Sequence, residues 1–163
     1  MSVSAKRLAR LAMMTALGAV LLLLTGLIPA GRLGLMVLAS FPVCVSLMLY
    51  GPAWAAGVYV LTAVLGFLLV SGPAAVGYAA FFGFYPIAKS LCERCRRLWL
   101  AWALKYIVYL LGFALCWLLA NALFSGAVSV LPWWAVLLLG GAVFAVYDFC
   151  YTLAIRFYIE KLA

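Results

Sequence analysis

The chain has 163 residues, 71% of them hydrophobic and 9% charged, with a formal charge of +8 at pH 7. A soluble domain of this length cannot hide so much apolar surface, so the medium around it is lipid. The basic residues sit at the ends of apolar runs, where membrane orientation accounts for them and nucleic-acid binding does not.

The apolar runs are about 18 residues or more, long enough to cross a hydrocarbon core of about 30 Å. No water there can pair with peptide groups, so each crossing is a helix or part of a closed barrel. The runs are continuous rather than alternating, which excludes the barrel. The expected fold is an all-α integral membrane protein: a six-transmembrane-helix bundle forming a single domain over residues 1–163.

The first helix is expected at about 8–28, behind Lys6, Arg7 and Arg10. Such a start can imitate a secretory signal, but Ile28-Pro29-Ala30 is a poor cleavage site and the run is long, so it reads as a retained span. Pro29 closes it, and Ala30-Gly31-Arg32 leads to a second helix at 33–50, with Pro42 expected to bend it near Ala39. Gly51-Pro52 makes a tight turn into the third helix, 53–70, and Ser71-Gly72-Pro73 turns the chain into the fourth, 74–88, with Pro86 near its end. The run from Lys89 to Arg97 is the charged centre of the chain, with long apolar segments on both sides. A fifth helix follows at 98–123, a Gly- and Ser-rich loop at 124–131, and a sixth helix at 132–158.

Six spans put both termini on one side. Nine of the 11 basic residues then fall on that side, Arg32 alone falls on the other, and Lys105 lies within the fifth helix. The positive-inside rule makes the common side the cytoplasm. Trp54, Trp99 and Trp102 mark the inner interface, and Trp133 and Trp134 the outer one.

Ala5, Ala9, Ala12, Ala16 and Ala19 recur at steps of four and three, which places them on one face of the first helix. Lipid supplies no hydrophobic drive between helices, so small residues that allow close approach mark a docking face. Its partner is either the protein's own helices, a second copy, or another membrane protein. Lys105 and Asp148 lie about 10 Å and 12 Å into the bilayer at the rise of a helix. Isolated charges at that depth are expensive, so an ion pair between them is expected, with Lys89 a second partner for Asp148. It serves either as a fixed packing element or as a proton relay.

Cys92 and Cys95 form a lone CxxC, and the chain has no histidine, so no metal site is expected. The neighbouring arginines leave a redox role open. The only acids are Glu93, Asp148 and Glu160, widely spaced. That excludes catalytic triads, paired carboxylates and zinc-protease chemistry, so the protein is expected not to be an enzyme and to carry no cofactor. A ligand site, if outside, draws on Arg32, Tyr78, Asn121, Trp133 and Trp134: an arginine for an anion and aromatic rings for a planar group. The competing account is an interfacial aromatic belt with a snorkelling arginine.

The length, six spans with both ends inside, Ala12-Met13-Met14-Thr15-Ala16 in the first helix, and Tyr50-Gly51-Pro52-Ala53-Trp54 opening the third resemble the substrate-binding S components of energy-coupling factor (ECF) transporters. The resemblance implies a multi-pass protein of the bacterial inner membrane that captures a vitamin or related micronutrient. It also implies docking through Ala12 and Ala16, flanked by Ala9 and Ala19, on a transmembrane T component driven by separate ATPase subunits. The chain departs from that pattern in an outer half poor in polar residues. Small membrane scaffolds resembling the MreD-type proteins of the rod-shape machinery share its size and would use the same alanine face and basic loop. A small channel or proton-coupled carrier is disfavoured by the shortage of polar residues for a water path.

Overall fold

A computed structural model describes residues 4–28, 31–70, 73–92, 98–123 and 133–162, and every element among them is helical. The helices are α1 (Ala5–Leu27), α2 (Arg32–Tyr50), α3 (Pro52–Leu69), α4 (Pro73–Gly77), α5 (Tyr85–Cys92), α6 (Leu98–Leu123) and α7 (Trp133–Leu162), with a π-helical turn over Tyr78–Phe82 after α4. The chain divides into two compact units, Met1–Ala127 and Val128–Ala163. The first holds α1 to α6 and the second holds α7. The expected Ser71-Gly72 turn, the basic loop from Glu93 to Arg97 and the loop before α7 lie outside the described residues.

Among the described residues, α1, α2, α3 and the stretch Trp102–Leu119 of α6 are long and apolar enough to cross a membrane. The distribution of exposure points the same way. Leu68 is 76% exposed, Leu27 74% and Met13 73%, whereas Lys89, Lys105 and Asp148 are buried. So many large apolar side chains outward, with three charges held inside, is the reverse of what water selects, and together with these helices it identifies an all-α membrane protein.

Within the first unit, α1, α2 and α3 pack on one another, and α6 packs against α5 and the π turn. Leu22, Met36, Ala39, Val70, Ala74 and Tyr78 form one core cluster, and Leu11, Val43, Ala55 and Val58 form another toward the opposite helix ends. Close approach rests on a missing side chain at Gly18, where a Cβ would lie 2.9 Å from Cγ2 of Thr62. In lipid such contacts are a main source of helix association. Three buried hydroxyls bond back to the helices that carry them. Thr15 donates to the Leu11 carbonyl (3.0 Å), Thr25 to Leu22 (2.6 Å) and Ser46 to Pro42 (2.8 Å).

The turn between α2 and α3 is a single residue. The Gly51 N–H donates to the Leu47 carbonyl (3.0 Å), closing α2, and its own carbonyl accepts from Ala55 (3.2 Å), opening α3. Its φ of 87° is the left-handed region that only glycine enters without strain, and Pro52 takes the first helical position, where no amide is needed. α2 runs through Pro42 as one helix.

The fourth expected helix differs from its expected form. In place of one helix over 74–88, α4 passes into the π turn, breaks at Gly83-Phe84, and restarts as α5. Pro86 accounts for the break. It has no N–H, and in a continuous helix its ring would meet the carbonyl of Phe82. By restarting on the Phe84 carbonyl, which accepts from Ile87 (3.1 Å) and Ala88 (3.2 Å), the chain puts Pro86 in a first turn, where it fits.

α7 is 30 residues long. Among its described side chains, the buried Phe144, Tyr147, Asp148 and Tyr151 repeat at steps of three, one and three, one face of a helix, while Val143, Val146, Phe149 and Leu153 are exposed. Tyr147 and Tyr151 meet edge to face at 5.5 Å, and Thr152 donates to the Asp148 carbonyl at 2.7 Å.

Candidate ligand site and docking face

The end of the first unit where α1 and α3 finish and α2 and α4 begin holds a cavity of about 310 Å³. Leu27, Leu69, Val70 and Ala74 give it apolar walls, and Thr25 and Arg32 add polar groups. The local sequence fixes the arginine. The amide that would ordinarily bond the Thr25 carbonyl belongs to the residue four on, and that residue is Pro29, which has no N–H. The Nε–H of Arg32 donates to this carbonyl instead, at 3.1 Å. The cation therefore stands at the mouth of the cavity, where it closes α1 and begins α2.

Of the other expected ligand residues, Tyr78 does not line it. Tyr78 is fully buried in the core cluster beneath Val70 and Ala74, its hydroxyl 3.4 Å from the Ala39 carbonyl. It fills the slot left by these small neighbours instead of lining the cavity. Trp134, on α7, is 55% exposed. Asn121 and Trp133 stand on α6 and α7, and their side chains lie outside the described residues. Thr25 was not among the expected residues, although the Pro29 spacing was its signal.

A second, larger hollow, about 440 Å³, runs along α1 and α3. Ala12, Thr15, Ala16 and Gly57 give it small walls between Leu8 and Leu61. Ala5, Ala9, Ala12 and Ala16 are exposed, and Ala19 is buried. The alanine stripe thus begins on the outside of the bundle and turns into it one helical turn past Ala16. A third cleft, about 220 Å³, is lined by Tyr59, Phe81, Phe84 and Gly112.

Lys105, in the first unit, is 7% exposed, and its ammonium sits 5.5 Å from the Trp102 ring centroid, within cation–π range. Asp148, in the second unit, is 2% exposed. Their pairing stays an expectation of the sequence. Cys44 and Cys92 are buried, Cys150 is exposed, and Cys95 lies outside the described residues. Among the described residues no cluster of histidine, cysteine or acid suits a metal. No family model, curated protein or solved structure matches the chain.

Proposed function

We propose that this membrane protein is a substrate-capture subunit of the ECF type. It takes up a vitamin-like small molecule on the outer face of a bacterial inner membrane, with both termini in the cytoplasm, and separate ATPase subunits power the transport. The observation that carries the reading is the cavity at Arg32, because the charge asymmetry makes that end the outer one. Its volume lies near the lower bound of small-molecule sites, about 300 to 1,000 Å³. The exposed Ala12 and Ala16, bordering a smooth apolar hollow, suit docking of a transmembrane T component on the same subunit.

A second reading, a non-transporting scaffold of the MreD type, draws on the hollow at Ala12 and Ala16, which is larger than the end cavity and wholly apolar in lining side chains apart from Thr15. Purification in a mild detergent, followed by mass spectrometry, separates the two. A bound small molecule together with co-purifying ATPase subunits supports capture. Neither of these, with cell-shape proteins in their place, reverses the ranking.

A further inference from the structure

We propose that Arg32 binds the anionic group, phosphate or carboxylate, of a small amphiphile whose apolar body occupies the end cavity. The claim that this amphiphile is cargo rests on the capture reading; the anion site itself stands on the geometry.

The guanidinium is held by one of its five donors. Nε–H is committed to the Thr25 carbonyl at 3.1 Å, which tethers the group at that corner and leaves the Nη edge to a ligand. The bond that Arg32 makes among the described residues goes to a carbonyl, which orients the cation and does not neutralise it. Arg32 is also the first residue of α2, so its charge adds to the positive end of that helix. A bound anion offsets both. A planar fork already fixed at one corner favours bidentate carboxylate or phosphate over a neutral polar group.

The walls decide the rest of the ligand. Leu23, Leu27, Leu69, Val70 and Ala74 offer no further charge, so one anionic group on an apolar body is the composition that fits. The volume, about 310 Å³, suits a short body and not a long one.

The test uses the full chain in nanodiscs of zwitterionic phosphatidylcholine, titrated with octyl phosphate and with octanol, which has the same body and no charge. Octyl phosphate is expected to bind saturably and about tenfold more tightly than octanol, because a hydrogen bond to a charged group is the stronger one. Arg32→Gln is expected to erase that preference. Gly26→Leu leaves Arg32 and the Thr25 carbonyl in place and fills the cavity; its Cβ would meet Val70 Cγ1 at an ordinary 3.7 Å, and it is expected to weaken both probes. Equal affinity for the two probes, or an undiminished preference in Arg32→Gln, overturns the proposal. If Arg32→Gln fails to fold, the Gly26→Leu result decides: unchanged octyl phosphate binding there also overturns it. Repeating the titration in phosphatidylglycerol nanodiscs identifies the source. Competition by that lipid sustains the anion site with a headgroup as occupant and sinks capture at this cavity. A neutral molecule that co-purifies regardless of Arg32 sustains capture and sinks the anion site.

Discussion

The hydroxyl of Tyr59 on α3 donates to the carbonyl of Ala79 at 2.6 Å, and the π turn is what frees that carbonyl. In an α-helix the Gly83 N–H would bond Ala79; here it reaches one residue further, to Tyr78, at 2.8 Å. The Tyr59 ring fits only because Gly83 has no side chain, since a Cβ would lie 2.7 Å from ring atom Cδ2. Three residues on two elements are thus fixed by one shift of register.

Tyr59→Phe removes the donor and leaves the Ala79 carbonyl unsatisfied in an apolar setting. The expected loss of stability is about 1–3 kcal/mol, read as a lowered Tm in detergent or bicelles. Gly83→Ala forces the ring to move, at an expected cost of about 1–3 kcal/mol. Combined with Tyr59→Leu, the two changes should cost clearly less than their sum, because the second removes the ring that the first displaces. Strict additivity would mean that the two residues do not compete for the same space.

At the crossing of α1 and α3, Gly18→Ala places a methyl against Thr62 Cγ2 at 2.9 Å. An overpacking loss of about 1–3 kcal/mol is expected. Thr62→Ser, which deletes that methyl and keeps the hydroxyl, should recover most of it. A Gly18→Ala protein as stable as the wild type would show that the helices separate freely there.

Along the alanine stripe, Ala16→Trp and Ala19→Trp should part company. Ala16 is exposed, so its replacement is expected to leave Tm nearly unchanged while releasing any partner that docks on α1. Ala19 is 6% exposed, and a tryptophan there has no space, so the fold itself should fail. Co-purification and thermal unfolding of the two variants read the outcomes separately. Retained association in a folded Ala16→Trp protein would exclude this face.

The orientation is checked with single cysteines in a background lacking the native ones. Ser4 and Ile28 flank α1 and are both exposed. A membrane-impermeant thiol reagent added outside intact cells is expected to label Ile28→Cys and not Ser4→Cys. The opposite pattern would place Arg32 in the cytoplasm and remove the basis for outer capture.

Much of the helical architecture was legible because prolines and glycines mark it. Pro29 and Gly51-Pro52 placed the end of α1, the end of α2 and the start of α3 within one residue of those observed. The interruption after α4 was not, although Pro86 was visible. A register shift depends on what receives the freed carbonyl, and Tyr59, 20 residues away, cannot be paired with Ala79 by periodicity. The cavity was legible only through its lone cation. Tyr78 looked like a ligand wall because an aromatic residue near a helix end has the same sequence signature whether it lines a pocket or fills one. The difference lies in the small neighbours: Ala74 is one turn earlier on the same stretch, but Ala39 comes from α2, which spacing along that stretch does not reveal. Ala19 matched the period of the exposed alanines, and spacing along one helix does not say where a neighbour begins to cover it.

With Gly51 serving as the last residue of one helix end and the first of the next, α2 and α3 have no slack between them. Insertion of the two into the bilayer as one hairpin, neither waiting for the other, is the expected consequence. A flexible insertion at this turn would therefore act first on the yield of correctly inserted protein, ahead of any effect on the finished bundle.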